Sequence, residues 1–314
     1  MQKPAKLKIA LIGAGSVSFA PPTIRDLLLN DNINSIPLEI CLMDILGEPL
    51  KVSAAYAQAV AAKLKRGAVI TSTLDLEQAL SGADFVVTAI EVERYYYWSQ
   101  DFHIPRKYGC RQIYGENGGP GGMFHTLRNL APMLEIARAM ERICPHAWLI
   151  NYTNPEAKLV EGISRLTSIR CVGLCHGIFM GLDQLSHLLQ VPAEDLDVSA
   201  CGLNHFGWFQ SIRHKQTGAD LYPLLKEKER QADWLANWDE IALSRLMLRV
   251  YGLYPYPGAN HIGEYIRWSD QFLAGQVMQY FYDPATEHPW QTRKVPEFVY
   301  SASNIREKPL FQPA

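Results

Sequence analysis

The sequence lacks the features that would place the chain in several classes of protein. Its formal net charge is −2, so no basic excess is available for binding nucleic acid. No apolar run approaches the roughly 20 residues that cross a bilayer, and we find no targeting segment, repeat or low-complexity stretch. Its six cysteines show no CxxC spacing, and four lie in or beside apolar runs, as reduced thiols do. We expect a globular, cytoplasmic protein without nucleic-acid or membrane partners.

What is present begins with a strand, a glycine turn and a helix. An apolar stretch over 6–12 predicts a strand, and helical spacing follows over 17–30. Between them, Gly13 permits a tight turn, and Gly15 and Ser16 bring the backbone close to a pyrophosphate at the helix N-terminus. The third glycine of the dinucleotide fingerprint is missing, so the turn alone is weak evidence.

An acidic residue at the end of the next strand strengthens this interpretation. The strand predicted over 38–43 ends in Asp44, where a carboxylate binds the ribose hydroxyls of NAD and repels the 2′-phosphate of NADP. Asp44 could instead cap the helix that follows. The order of strand, turn, helix, strand and acid favours NAD binding by Gly13, Gly15, Ser16 and Asp44.

Further strands alternate with helices as far as residue 174. This alternation predicts a parallel sheet with right-handed crossovers. Six strands in this order predict an α/β, Rossmann-like doubly wound fold, with strands at 6–12, 38–43, 68–73, 83–90, 148–150 and 169–174.

Polar and glycine-rich stretches between these elements supply candidate ligand contacts. The stretch 118–122 is so rich in glycine that we predict neither helix nor strand there, and Glu116 beside it could tune a metal or a base. Asn151 and Asn154 follow the fifth strand, where their amides could bind sugar hydroxyls or nicotinamide. A solvated turn is the alternative for Glu116.

Cys175 and His205 each follow an apolar run. A thiolate and an imidazole suit a divalent transition metal, and two protein ligands leave positions open for substrate. We expect Asn204, next to His205, to bind substrate. The alternative is a buried cysteine and a hydrogen-bonded histidine.

The ordered set of motifs resembles glycoside hydrolase family 4, the NAD- and metal-dependent glycosidases related to lactate and malate dehydrogenases. The resemblance covers roughly the first two-thirds of the chain, and implies an NAD-binding domain over 1–195 and a mixed α+β substrate and metal domain over 196–314. The low periodicity of 284–314 leaves open whether that domain is complete. The motifs are Gly13-Ala14-Gly15-Ser16, Leu42-Met43-Asp44, Ile104-Pro105-Arg106-Lys107-Tyr108-Gly109, Glu116 with Gly119-Pro120-Gly121-Gly122, Asn151-Tyr152-Thr153-Asn154-Pro155, Val172-Gly173-Leu174-Cys175-His176-Gly177 and Gly202-Leu203-Asn204-His205.

The resemblance also implies roles for individual residues. Cys175 and His205 would bind Mn²⁺ or another divalent metal, Asn154 would contact substrate, and His176 would be the general acid. Glu116 would tune a base that the resemblance places at His261, with Tyr256 and Tyr265 as competitors and a structural histidine as the alternative.

The chemistry implied is oxidation of the sugar at C3 by NAD, removal of the C2 proton, elimination of the aglycone and addition of water. Trp98 stands where phospho-sugar branches carry arginine, and His176 stands where they carry Asp or Asn. The chain therefore resembles the α-galactosidase and α-uronidase branches, with a non-phosphorylated α-glycoside as substrate. An anionic sugar stays open, because Arg94, Lys107 and Arg267 could meet its charge.

Two other functions compete with a glycosidase. An NAD-dependent 2-hydroxy acid dehydrogenase of the lactate/malate type needs a His–Asp pair and a substrate-binding arginine, and we find no such triplet. A non-catalytic NAD-binding sensor predicts a broken metal pair, whereas Cys175 and His205 are both present. We expect a homo-oligomer, a dimer or tetramer.

Overall fold

The structure is a computed structural model that describes residues 5–110, 114–231 and 241–269. These residues form two compact units. The first unit contains the described residues up to 93 and those from 126 to 174, and the second contains 94–125 and the described residues from 175 onward. The domain boundary at residue 195 stays a prediction, because these units are a different division of the chain.

The first unit is built on a sheet of six parallel strands. Its strand order is β3-β2-β1-β4-β5-β6, and every neighbouring pair is parallel. The doubly wound sheet predicted from the alternating pattern is therefore confirmed. The strands are β1 (Leu7–Ile12), β2 (Leu38–Met43), β3 (Val69–Thr73), β4 (Phe85–Thr88), β5 (Trp148–Asn151) and β6 (Arg170–Gly173).

Helices cover both faces of this sheet, which is why its central strands are mostly apolar. One face packs on Ile24, Leu28 and Tyr56, and the other packs on Met133 and Met140. None of the helices among the described residues is long and apolar enough to cross a membrane. In chain order the helices are α1 (Ala20–Leu29), α2 (Asp31–Asn34), α3 (Gly47–Lys63), α4 (Leu76–Leu80), α5 (Arg94–Lys107), α6 (Gly119–Ile143), α7 (Glu156–Leu166), α8 (Gly177–Leu189), α9 (Tyr222–Gln231), α10 (Ala242–Tyr251) and α11 (Ala259–Gly263).

Helix α6 begins inside the glycine-rich stretch, so the prediction that 118–122 is not helical is wrong from Gly119 onward. The glycines serve close packing of backbone on backbone. A Cβ on Gly121 would lie 2.3 Å from the carbonyl oxygen of Asp101, and one on Gly122 would lie 2.5 Å from the carbonyl carbon of Asn117. Glycine has a low helix propensity, but it is required at these helical positions because no larger residue fits.

The second unit contains an antiparallel pair of strands, β7 (Leu196–Leu203) and β8 (Phe206–His214). They pack with α8, α9 and α10 around a core that includes Leu185, Phe209 and Tyr254. The sequence over 262–282 also predicts a helix, but α11 ends at Gly263 and residues 264–269 do not continue it. The rest of that stretch, like 284–314, lies outside the described residues.

Candidate active site

The glycine turn after β1 is held by the neighbouring strand. The backbone N–H groups of Gly13 and Ala14 both donate to the carbonyl of Met43 at 2.9 Å. Gly13 has φ +86°, and a Cβ there would lie 2.3 Å from the carbonyl oxygen of Ala89. Ser16 closes the turn with a 3.1 Å bond from its N–H to the carbonyl of Gly13. The predicted turn therefore forms, and only glycine fits at its first position.

Asp44 lies against this turn. Its Oδ2 accepts the N–H of Gly15 at 2.8 Å, and its Oδ1 accepts the N–H of Leu46 at 2.9 Å. Leu46, and not Asp44, occupies the N-cap position of α3. Each carboxylate oxygen has a further lone pair, so the carboxylate can accept ribose hydroxyls without releasing the turn. The turn and the acid therefore lie together, as the prediction of a dinucleotide site requires, and NAD binding by these residues stays a prediction.

The two asparagines after β5 differ in their surroundings. Asn151 is fully buried; its Oδ1 accepts the N–H of Thr153 and the hydroxyl of Thr88, and its Nδ2 donates to the carbonyl of Thr153. It therefore shapes the loop from within. Asn154 is half-buried, and its carbonyl accepts Nδ2 of Asn129 at 2.9 Å. Substrate binding by either residue stays a prediction.

In the second unit, Glu116 lies at the centre of a buried polar cluster. It is 1% exposed, and its Oε1 lies 2.7 Å from Nη2 of Arg94. Its backbone carbonyl lies 3.0 Å from Nδ1 of His125. Burial is the largest influence and raises the pKa of Glu116, but Arg94, His205, His125 and His261 together outweigh burial and lower that pKa to about 2. Glu116 is therefore an ionised carboxylate.

A second buried carboxylate, Glu264, binds the same loop. Its Oε1 accepts the backbone N–H groups of Glu116 and Asn117, both at 2.7 Å. A Cβ on Gly118 would lie 2.3 Å from the carbonyl oxygen of Glu264, so the loop can reach this position only with glycine. Burial and the nearby charge of Glu116 raise the pKa of Glu264.

His205 is the predicted metal ligand that this cluster surrounds. It occupies the turn between β7 and β8 with φ +61°, an uncommon conformation for a residue other than glycine. Its Nδ1 lies 2.9 Å from Nδ2 of Asn117 and 3.2 Å from Oε2 of Glu264. Burial lowers the pKa of His205 to about 4, so the ring is neutral at neutral pH and its Nε2 side can serve as a ligand.

His261 brings a second neutral imidazole to His205. The ring centroids lie 4.2 Å apart, and that of His176 lies 6.4 Å from His261. Desolvation and the neighbouring His205 lower the pKa of His261 to about 3. The ring can accept a proton at neutral pH but is a weak base, since an efficient base has a pKa near the working pH.

Two tyrosines compete with His261 for the role of base. The hydroxyl of Tyr256 donates to the carbonyl of Leu203 at 3.2 Å, and its ring lies 3.6 Å from where a Cβ on Gly177 would stand. Tyr256 therefore packs beside the Cys175–Gly177 segment. Tyr265, by contrast, is 37% exposed, and its ring lies tilted against that of Phe206 with 5.5 Å between the centroids. Tyr256 has the better position of the two tyrosines.

The donors present suit a divalent metal held by two protein ligands. Cys175 is half-buried, and His205 is neutral. Oδ1 of Asn204, beside His205, is buried and finds no hydrogen-bond partner among the described residues, as expected of a group that awaits a ligand. No group of three or more His, Cys, Asp and Glu side chains in the described parts of the chain could hold a metal alone, so water or substrate would complete the coordination.

Sequence reasoning missed most of the shell around His205. It selected Glu116, His176, His205 and His261, which the fold brings into one cluster, but it gave no role to Asn117, His125 or Glu264. It considered Arg94 as a substrate ligand, whereas the guanidinium pairs with Glu116. Glu264 contacts residues 148 and 147 positions earlier, and no local pattern signals such a contact.

Several known proteins are similar to this chain in sequence. The chain is 33% identical over 301 residues to an α-glucosidase of Erwinia rhapontici, covering 84% of this chain and 66% of that protein. It is 33% identical over 259 residues to an α-galactosidase of Bacillus subtilis, covering 82% and 59%. It is 31% identical over 278 residues to an α-galacturonidase of Thermoanaerobacter italicus, covering 83% and 59%. The chain thus spans between 59% and 66% of the length of these relatives.

Solved structures share the fold. A 6-phospho-α-glucosidase from gut microorganisms, in complex with NAD and Mn²⁺, matches with a TM-score of 0.73 and 23% identity over 96% of this chain and 68% of that chain. The lactate dehydrogenase of Eimeria maxima, with NADH and oxamate, matches with a TM-score of 0.54 and 16% identity over 84% of this chain and 74% of that one.

Two family models together match nearly the whole chain. Residues 8–191 match the model described as family 4 glycosyl hydrolase, and residues 200–310 match the model of its C-terminal domain. This chain therefore belongs to family 4 of the glycosyl hydrolases.

Proposed function

We propose that this protein is a glycosidase that uses NAD and a divalent metal, Mn²⁺ or a similar ion, to cleave a non-phosphorylated α-glycoside. The observation that carries the proposal is the buried cluster of the second unit, in which His205, His261 and Glu116 meet. A neutral histidine beside a second imidazole and an ionised carboxylate is a site for metal and proton chemistry. The fit of the glycine turn and Asp44 to a dinucleotide supports the use of NAD.

The residues of the second unit would have separate roles in metal binding and proton transfer. Cys175 and His205 would hold the metal, while His261, or Tyr256 in its place, would take the proton from C2 of the sugar. His176, which is exposed, can reach substrate and would protonate the departing oxygen at C1. When bound, NAD supplies reversible oxidation at C3, and a metal supplies Lewis-acid polarisation of the sugar oxygens.

Buried Glu116 would act on the base rather than on the substrate. Its negative charge favours the protonated form of His261 and opposes the effect of burial on that ring. A base that receives the C2 proton becomes a cation, and a fixed carboxylate stabilises that cation. Arg94 keeps Glu116 ionised, so the carboxylate is ready before proton transfer begins.

The proposal of a non-phosphorylated substrate rests on Trp98. Where phospho-sugar branches carry arginine, this chain has a tryptophan that is 4% exposed and that donates its indole N–H to the carbonyl of Tyr114. That position therefore offers no cation to a phosphate. Relatives named α-galactosidase and α-galacturonidase support a neutral or uronic sugar.

A panel of chromogenic glycosides tests the proposal. We expect release of the aglycone from an α-galactoside or α-galacturonide only when NAD and Mn²⁺ are both present, and no release from 6-phospho-glucosides. A substrate deuterated at C2 should exchange its label with solvent during turnover. Hydrolysis without NAD, or full retention of the label, would refute the mechanism. Oxidation of lactate or malate without metal would favour a dehydrogenase.

A further inference from the structure

Asn129, on α6, is a completely buried residue to which the mechanism proposed above gives no role. Its Nδ2 donates to the carbonyl of Asn154 and to Oε1 of Glu91, both at 2.9 Å. Its Oδ1 accepts the N–H of Val92 at 3.3 Å. The amide nitrogen carries two hydrogens, so each of its two acceptors can receive one. All four residues belong to the first unit.

The partners of Asn129 lie on two different loops. Two of them follow β4, and Asn154 follows β5. Closer to the strands, the same loops are joined by the N–H of Ile90, which donates to Oγ1 of Thr153 at 3.0 Å. Because β4 and β5 are neighbouring parallel strands, both loops leave the sheet at its carboxyl edge. Asn129 therefore joins the loops beyond the point where the strands end.

The loops after β4 and β5 belong to the second nucleotide half of the fold. A doubly wound sheet binds a dinucleotide across the point where the strand order reverses, and each half of the sheet takes one mononucleotide. In this sheet that point lies between β1 and β4. The glycine turn after β1 and Asp44 after β2 suit the pyrophosphate and the adenosine ribose. The nicotinamide nucleoside would then lie over the loops after β4 and β5.

We propose, on the basis of the use of NAD proposed above, that Asn129 is a positioning residue for the nicotinamide half of the cofactor. Loops that are already held in one arrangement cost less free energy to order when a ligand binds. The adenine half has a separate support, since the turn after β1 is held by the carbonyl of Met43 and the carboxylate of Asp44. Loss of Asn129 should therefore weaken one half of the site and spare the other.

The variant Asn129→Ala tests this division with two ligands. NAD carries both halves, whereas ADP carries the adenosine and both phosphates without the nicotinamide nucleoside. We expect calorimetry to show NAD binding that is weaker by about 3- to 10-fold, the equivalent of one neutral hydrogen bond, and ADP binding that is unchanged. A fall of both affinities by the same factor would show that Asn129 supports only the fold and would overturn the inference. Wild-type affinity for NAD in the variant would overturn it as well.

The matched control is Asn34→Ala. Nδ2 of Asn34 donates to the carbonyls of Leu27, Leu28 and Asn30 at 2.8, 3.2 and 2.8 Å, so this amide also joins segments of the first unit. Asn34 precedes β2 and therefore lies at the amino edge of the sheet, opposite the edge where ligands bind. We expect a lower urea midpoint with wild-type affinities for NAD and ADP. A selective loss of NAD in this control would contradict the inference.

Hydrogen exchange in the wild type gives a second readout, which decides the matter if Asn129→Ala does not fold. The amide hydrogen of Val92 is bonded to Asn129. At equal saturation, we expect NAD to slow the exchange of this hydrogen more than ADP does. Equal slowing by the two ligands would overturn the inference and leave the use of NAD intact. A wild type that does not bind NAD would overturn the proposed function, and the inference with it.

Discussion

Replacing Arg94 by methionine tests whether the buried carboxylate of Glu116 depends on its cation. The side chain of Glu116 is 2% exposed and that of Arg94 is 29% exposed, with 2.7 Å between Nη2 and Oε1. Breaking a buried ion pair on one side costs about 3–5 kcal/mol. Because Arg94 is partly solvated, we expect the lower end, a loss of about 3 kcal/mol in the free energy of unfolding at pH 7.

The loss should depend on pH in a defined direction. Arg94 holds the pKa of Glu116 below its unfolded value of 4.5, so this stabilisation is present above pH 4.5 and is lost as the pH falls toward 2. In the variant, the raising effect of burial loses its strongest opponent, so the pKa of Glu116 rises. The difference between the two proteins should therefore shrink on acidification.

Urea unfolding at several pH values measures the loss of stability and its pH dependence. Tryptophan fluorescence can follow the unfolding, because the guanidinium of Arg94 lies 4.4 Å from the ring centroid of Trp98. The matched control is Arg25→Met, which breaks an ion pair with Asp26 whose side chains are 45% and 66% exposed. An exposed pair contributes about 0–1 kcal/mol. Equal losses in the two variants, or a pH-independent loss in Arg94→Met, would refute the reasoning.

Three further perturbations test the two candidate sites. Cys175→Ser should lose Mn²⁺ while keeping NAD binding, measured by paramagnetic resonance and by ligand fluorescence; failure to fold would show instead that Cys175 is structural. Asp44→Ala should weaken NAD binding by about tenfold or more, since a hydrogen bond to a charged group contributes about 1.5–3 kcal/mol, and an unchanged dissociation constant would exclude Asp44 from the site. Burial depresses the pKa of His205 to about 4, so metal-free protein should lose stability as the pH falls from about 6.5 toward 4. The pKa of Glu264 is raised to about 8, so this group increases the stability of the protein as the pH falls from about 8 toward 4.5. His205→Gln removes the loss due to the imidazole and keeps this gain, so its urea midpoint should fall less on acidification than that of the wild type.

The first unit could be predicted from sequence because its strands and helices are specified by patterns of neighbouring residues. Each strand is a short apolar run, each crossover has its own periodicity, and a parallel sheet follows from their alternation. The cradle formed by Gly13 and Asp44 is equally local, since it joins the ends of two adjacent strands.

The second unit resisted prediction because its contacts are long-range. The glycines from Gly119 onward look like a loop, yet they begin α6, since the backbones of Asp101 and Asn117 leave no room for side chains. Motifs identified His205, but the positive φ that turns its ring inward depends on the hairpin of β7 and β8. The carboxylate behind it comes from Glu264, just after α11, which no periodic pattern connects to that hairpin.

The difference between local contacts in the first unit and long-range contacts in the second has a thermodynamic consequence. The glycine-rich loop, the hairpin turn and Glu264 are distant in sequence, so the surroundings of His205 exist only when the second unit is folded. A metal that binds this arrangement and not the unfolded chain must stabilise that unit by an amount set by its concentration relative to its dissociation constant. The dinucleotide turn is assembled within the first unit from neighbouring strands. Loss of metal binding and loss of NAD binding should therefore be separable by mutation, and the pair Cys175→Ser and Asp44→Ala is where that separation can be measured.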